Sequence, residues 1–141
     1  MSKLIRQTVT FRAAPHAVYE ALMDSRKHAA FTGGAAKISR QVGGEIMAYD
    51  GYITGRNLAL VPDEKIVQEW HASEWDAGHL SKVTFKLAPV AAGTRLRFTH
   101  SHVPDKFVDD IRQGWIDNYW IPLKALLNKV TTDADQYPPA A

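Results

Sequence analysis

The chain of 141 residues contains no cysteine. This absence excludes disulfide bonds, thiolate metal ligands and cysteine nucleophiles, and it fits a reducing compartment. No stretch of about 18 apolar residues is present, so the sequence predicts no membrane-spanning helix. Lys3 and Arg6 are not followed by the continuous apolar run of a secretory signal peptide. We therefore expect a soluble, cytoplasmic protein.

A strong charge of either sign is also missing, because 17 lysines and arginines face 15 acidic residues. A net charge of +2 is too small to indicate a polyanionic partner, so we expect no nucleic acid binding. The pairs Gly33-Gly34 and Gly43-Gly44 lack the lysine or the spacing of a phosphate-binding loop. GxSxG and HExxH motifs are absent. The sequence predicts no cofactor and no catalytic residue, and it leaves open whether the protein is an enzyme.

Hydrophobic periodicity predicts the order of the secondary structure. Residues 4–12 alternate as a half-buried strand does. Pro15 opens a short helix, and Ser25 is the expected cap of a second helix that ends at Gly33-Gly34. About six strand-like segments follow between residues 36 and 102, separated by turn residues. This order predicts an α+β protein with an antiparallel meander.

A long amphipathic helix is predicted from Asp105 to Val130. The positions on its polar stripe are Lys106, Asp110, Gln113, Asp117, Lys124 and Asn128. The opposite, apolar side carries Trp115, Tyr119, Leu126 and Val130, and it is widened by Ile116, Trp120, Leu123 and Leu127. Gly114 and Pro122 interrupt the helix, and Pro122 should kink it because proline cannot donate to the Asn118 carbonyl. The wide apolar side is either covered by the two short helices or forms a homodimer contact.

Alternation also predicts which strand side chains face this helix. In the last two strands they are Val83, Phe85 and Leu87, then Leu96, Phe98, His100 and His102. Trp70 is assigned to the same side, although the pattern of its strand is compatible with either face.

Five segments in this order resemble the START-like (SRPBCC, Bet v 1-like) superfamily. They are IRQTVTFRAAPHAVYEALMDS, FTGGAAKIS, GYITGRNLALVPDEKIVQEW, VTFKLAPVAAGTRLRFTHSHVP and GWIDNYWIPLKALL. Within that superfamily the chain resembles the activator of heat-shock protein 90 ATPase homologue-like family. The resemblance implies a helix-grip fold, in which a curved antiparallel sheet of six to seven strands wraps around the C-terminal helix. It implies one domain over residues 1–131, followed by a flexible tail over residues 132–141.

Many proteins of that superfamily hold apolar molecules between sheet and helix, so the resemblance implies a small hydrophobic ligand, either a lipid or an aromatic compound. The side chains predicted to face it are Trp70, Phe85, Phe98, His100, His102, Ile111, Trp115 and Tyr119. An alternative is a cavity enzyme of the cyclase type that uses His100 and Tyr119 for acid–base chemistry. A metal pair at His100 and His102, completed by His71, His79 or Glu69, is a weaker hypothesis, and no metal is predicted.

A further alternative is a stress-related or chaperone-associated regulatory protein. The outer face of the sheet collects basic residues that could contact an acidic protein partner. These residues are Arg6, Arg12, Lys82, Lys86, Arg95 and Arg97. A solvated sheet face explains the same pattern, and the sequence does not decide between the two.

Overall fold

The computed structural model describes residues 2–127. Seven strands form one antiparallel sheet in the order β1-β7-β6-β5-β4-β3-β2. The strands are β1 (Ser2–Phe11), β2 (Lys37–Ile38), β3 (Glu45–Ala48), β4 (Ile53–Val61), β5 (Lys65–Ala72), β6 (Ser81–Val90) and β7 (Gly93–Pro104). Helices α1 (Pro15–Met23) and α2 (Ser25–Thr32) follow β1, and a C-terminal helix packs on the sheet. The predicted α+β helix-grip fold is confirmed, whereas the predicted tail over residues 132–141 lies outside the described residues.

The C-terminal helix changes its winding along its length. It begins with a 3₁₀ turn (Asp105–Phe107), continues as α3 (Val108–Trp115), widens into a π-helical turn (Ile116–Trp120) and returns to α-helix over residues 121–127. The helix was predicted to be irregular at Pro122, and the irregularity that the structure shows is the π-helical turn just before this proline. Pro122 has no N–H to donate to the Asn118 carbonyl, and this carbonyl accepts a hydrogen bond from the Tyr49 hydroxyl instead (3.3 Å).

The two short helices begin and end near the predicted residues, with one correction. Pro15 is the first residue of α1, and Gly33 ends α2 in the left-handed conformation (φ 81°). The N-cap of α2 is Asp24 rather than Ser25, because the Asp24 carboxylate accepts from the Lys27 amide (3.0 Å). The Ser25 hydroxyl accepts from the Ile38 amide instead, which ties α2 to β2 (2.9 Å).

The core lies between the sheet and the helices. Ile5, Phe11, Val83, Leu96 and Phe98 are almost fully buried on the inner face of the sheet, as alternation predicts. Trp120, Leu123 and Leu127 are buried as well, and the large apolar residues exposed on the described part of the helix are Ile116 and Ile121. The homodimer stays a prediction.

The short β2–β3 hairpin is held to β4 by a buried asparagine. The Asn57 side chain donates to the carbonyls of Ser39 (2.7 Å) and Gln41 (3.0 Å), and it accepts from the Gln68 amide (3.1 Å). Asn57 is only 1% exposed, so these bonds satisfy a polar group that would otherwise be costly to bury. They fix one edge of the sheet relative to its centre.

Candidate functional site

An open cleft of about 500 Å³ lies between the C-terminal helix and the β3–β5 part of the sheet. Four of the eight predicted ligand-binding residues line it: Trp70, Ile111, Trp115 and Tyr119. The other lining residues are Tyr49, Tyr52, Ile53, Glu74, Phe107, Asp110, Gly114 and Asn118. Most of these come from turns and from the start of the helix, where no alternating pattern identifies an inward face.

The inner wall of the cleft is a continuous aromatic cluster. The ring of Trp115 lies 5.1 Å from that of Trp70 and 4.4 Å from that of Tyr119, measured between centroids. Tyr49 lies 6.1 Å from Tyr119 and extends the cluster toward the turn after β3. Such spacings are those of favourable tilted and edge-to-face contacts, so the wall is a packed surface with defined ring positions.

Gly114 provides the space on the helix side of the cleft. A Cβ atom added at Gly114 would meet only the Asn118 amide nitrogen within 4 Å, at 3.6 Å. The glycine therefore leaves room that any larger side chain would occupy. This glycine, which interrupts the helical pattern of the sequence, is one of the residues that line the cleft.

The interior behind this wall is packed with side chains. Phe98 lies 4.3 Å from Trp115 and 5.3 Å from Phe85 between ring centroids, and both phenylalanines are buried. A separate void of about 10 Å³ remains in the interior, which is enough for about one water molecule. Phe85 lines this void, and Trp70 and Tyr119 line both the void and the cleft. A ligand at this aromatic wall would therefore occupy the open cleft and not the packed interior, and Phe85 and Phe98 support the wall from behind.

His100 is held in a buried hydrogen-bond network. The Trp115 indole donates to its Nδ1 (3.1 Å), so its Nε2 carries the proton and donates to the Ser81 hydroxyl (2.7 Å). Burial lowers the pKa of His100 to about 3, which keeps the ring neutral. His100 therefore orients Trp115, one of the cleft residues, and both of its nitrogens are occupied.

Tyr119 bonds with His28 and not with His100. The Tyr119 hydroxyl and His28 Nε2 are 2.7 Å apart, and His28 Nδ1 is buried without a hydrogen-bond partner among the described residues. Burial lowers the pKa of His28 to about 4 and raises that of Tyr119 well above 10. A histidine with such a low pKa is a weak general base at neutral pH. The acid–base pair hypothesised from the sequence, His100 with Tyr119, is not formed, and sequence reasoning did not identify His28.

The prediction that His102 faces the interior is wrong. A β-bulge shifts the β1–β7 register between the pairs Ile5–His100 and Lys3–Val103, and His102 adopts a left-handed backbone (φ 62°). The bulge places Val103 in the core and His102 on the surface. Consequently, His100 and His102 do not face the same side. Within residues 2–127 no three histidine, aspartate or glutamate side chains are grouped as metal ligands would be.

The outer face of the sheet carries a basic groove of about 430 Å³. Lys65, Lys86 and Arg97 are direct cross-strand neighbours on β5, β6 and β7, and Lys82 also lines the groove. Like charges in this arrangement repel one another. None of these four residues forms an ion pair within the described part of the chain. Glu69, the carboxylate opposite Lys82, pairs with Arg56 instead (3.1 Å).

The other residues of the predicted basic face are exposed as well. Arg6 and Arg95 lie on the neighbouring strands β1 and β7, with Arg6 paired in register with Thr99, which lines the groove. Arg12 is exposed just after β1. Lys65 was not among the predicted residues, since its strand shows no clear alternation.

A family model described as "Activator of Hsp90 ATPase homolog 1-like protein" matches residues 12–128. The chain belongs to this family. The human activator of 90 kDa heat shock protein ATPase homolog 1 is 28% identical over 115 residues, which are 82% of this chain and 34% of the human protein. The chain therefore spans about one third of the length of the curated relatives that it matches.

Two solved structures have a fold similar to that of this chain. An HSP90 activator from Plasmodium falciparum superimposes with a TM-score of 0.80 at 24% identity, covering 91% of this chain and 96% of that chain. A protein of Chromobacterium violaceum superimposes with a TM-score of 0.74 at 29% identity, covering 88% of this chain and 96% of that chain. Within residues 2–127, no helix combines the length and apolar character that crossing a bilayer requires. The cytoplasmic location stays a prediction.

Proposed function

We propose that the protein binds a small, largely apolar molecule in the cleft between its C-terminal helix and the sheet. The observation that carries this proposal is the cleft of about 500 Å³, whose inner wall is built from Trp70, Trp115 and Tyr119. Ligand pockets of proteins are concave, are lined mainly by apolar and aromatic side chains, and fall in this range of volumes. The polar atoms of all three rings form buried hydrogen bonds within the protein, so the rings contribute mainly apolar surface to the cleft.

The polar contacts behind the wall support the same proposal. His100 fixes the indole of Trp115 and His28 fixes the phenol of Tyr119, so the two rings are held before a ligand arrives. A surface whose rings are fixed in advance loses little conformational freedom on binding. The arrangement therefore favours binding of a ligand by its shape over catalysis of a reaction of that ligand.

Naphthylmethanol, a neutral aromatic alcohol, is a suitable probe of this cleft. Titration followed by calorimetry and by quenching of tryptophan fluorescence should show saturable binding, because two of the cleft residues are tryptophans. The Gly114→Leu variant should weaken binding at least about tenfold by filling the open space at Gly114, which corresponds to about 1.4 kcal/mol. Gln113→Leu, which adds the same side chain on the exposed side of the helix, is the matched control.

Two results would contradict the proposal: binding that Gly114→Leu leaves intact, or the absence of saturable binding by any member of a panel of apolar compounds. Native mass spectrometry of freshly purified protein provides an independent measurement, since a retained small molecule lost in Gly114→Leu would identify the natural ligand.

A second candidate function is docking onto Hsp90, and the basic groove favours it. Lys65, Lys86 and Arg97 are held side by side without carboxylate partners in the described chain, so an acidic protein surface would relieve their repulsion. The names of the human and Plasmodium falciparum relatives point to the chaperone as the partner to test.

The test is co-sedimentation and calorimetry with purified Hsp90. The double variant Lys86→Glu/Arg97→Glu should weaken the complex by about tenfold or more at low salt, and Lys124→Glu on the exposed side of the helix should not. Equal binding by both variants would exclude the groove as the docking surface.

A further inference from the structure

We propose that the cleft selects apolar molecules that carry a positive charge, such as aromatic amines or quaternary ammonium compounds, over neutral and anionic molecules of the same shape. This inference rests on the proposed ligand-binding function and adds the chemical class of the ligand. It follows from the charged groups that line the cleft, which are all of one sign.

Glu74 and Asp110 are the two charged residues in the lining, and they come from different elements. Glu74 lies in the loop after β5, whereas Asp110 lies in the first turn of α3. No lysine, arginine or protonatable imidazole accompanies them among the described lining residues. Two carboxylates therefore border one aromatic cleft without a countercharge in its walls.

Neither carboxylate is neutralised by the surrounding structure. Glu74 accepts a hydrogen bond from the hydroxyl of Tyr52 (2.5 Å), which is a neutral group and supplies no countercharge. Burial and this hydrogen bond raise the pKa of Tyr52 to about 12, so the phenol stays a donor. Asp110 has no ion-pair or hydrogen-bond partner within residues 2–127.

An acidic residue in the first turn of a helix has an ordinary role, because it complements the helix dipole. In α3 that role is already filled by Asp109, which faces solvent and pairs with Arg112 (2.9 Å). Asp110 adds a second negative charge to the same turn, and this residue lines the cleft. Its position is thus explained better by an occupant of the cleft than by helix stability alone.

The aromatic walls favour the same class of ligand. The faces of tryptophan, tyrosine and phenylalanine rings carry negative partial charge and attract cations, and an adjacent carboxylate strengthens the attraction. Phe107, which lines the cleft, already has the Lys106 ammonium 5.3 Å from its centroid. Lys106 itself does not line the cleft, and the larger basic cluster lies in the groove on the outer face of the sheet. An anionic ligand would be repelled by the two carboxylates, and it would find no lysine or arginine among the described residues that line the cleft.

Three naphthalene derivatives of similar size test the inference: naphthylmethylammonium, naphthylmethanol and naphthylacetate. Calorimetry at pH 7.5 and low ionic strength should give the ammonium compound an affinity about tenfold or more above that of the alcohol, with the acetate weakest. Glu74→Gln and Asp110→Asn should each reduce the ratio of ammonium to alcohol affinity, and the double variant should bring it close to one. Asp109→Asn, which removes the same charge from the solvent side, should retain the ratio.

Equal affinities for the ammonium compound and the alcohol, or a preference that survives the double variant, would overturn the inference and leave the proposed apolar ligand standing. Failure of all three compounds to bind would overturn the inference, and the proposed function falls with it when the wider panel of apolar compounds also shows no saturable binding. Tightest binding of the acetate would reverse the assigned charge preference.

Discussion

Acidification from pH 8 to pH 5 should lower the free energy of unfolding by about 4 kcal/mol. Burial lowers the pKa of His28 to about 4 and that of His100 to about 3, from the ordinary value of 6.5. Below pH 6.5 the unfolded chain takes up one proton at each of these residues, whereas the native protein does so only near pH 4 and pH 3. The unfolded state therefore gains stability relative to the native state as the pH falls.

The magnitude follows from the width of this window. Each proton contributes about 1.4 kcal/mol per pH unit, and the interval from pH 6.5 to pH 5 is about 1.5 units, which gives about 2 kcal/mol for each histidine. The full stability is present above pH 6.5, and the loss continues down to the native pKa values. A total of about 4 kcal/mol is a large part of the roughly 5–15 kcal/mol by which a folded protein is typically stable.

Urea unfolding followed by circular dichroism at four pH values between 5 and 8 measures how the free energy of unfolding changes with pH. His28→Gln and His100→Gln should each remove about half of the pH dependence, whatever they do to the stability at pH 8. His102→Asn is the control, since His102 is exposed and asparagine tolerates its positive φ. A slope that neither buried variant changes would refute the assignment of these two residues as neutral buried groups.

Three substitutions test the packing around the site by thermal and urea unfolding. Gly114→Ala should stabilise the protein by about 1 kcal/mol, because alanine is the better helix former and its Cβ meets nothing closer than 3.6 Å; a loss of stability would show that the space is not open. Tyr49→Phe should cost about 1 kcal/mol by removing the donor to the Asn118 carbonyl next to Pro122, and no change would contradict that role. Asn57→Ala should cost about 3 kcal/mol, since it leaves the buried Gln68 amide and two part-buried backbone carbonyls without this partner, and a loss below about 1 kcal/mol would contradict the network.

The fold was predictable because its signals are local and repeat along the chain. Alternation identified the buried faces of β1, β6 and β7, and the side chains of Phe11, Phe85 and Phe98 lie where it predicts. Pro15 and Gly33 fix helix ends through backbone geometry that hardly depends on the rest of the protein. Turn residues then divided the middle of the chain into strands whose order required no further information.

The site was predictable only in part, because its residues meet through tertiary geometry. Trp115 and Tyr119 lie one helical turn apart and were found by helical spacing, whereas Tyr49 and Glu74 come from turns with no periodic pattern. The bulge next to His102 turns this side chain to the outside of the sheet, although His100, two residues earlier, points into the core. An alternating sequence pattern gives no sign of such an inserted residue. His28 contacts Tyr119 across 91 positions of sequence, so no spacing rule could have paired them.

The π-helical turn is what connects the shape of the helix with the aromatic wall. A π turn places residues i and i+5 one above the other, and Trp115 and Trp120 are stacked in this way, with centroids 5.6 Å apart and planes inclined by 23°. The Trp120 indole donates to the Gln7 side chain on β1 (2.6 Å), which anchors the pair to the far edge of the sheet. Trp120 is itself buried and packs against Trp115, which helps to hold Trp115 in its place in the cleft lining. Pro122 lies two residues after the end of the turn and cannot donate the regular α-helical bond to Asn118, so it favours the wider winding on which the wall of the proposed site depends.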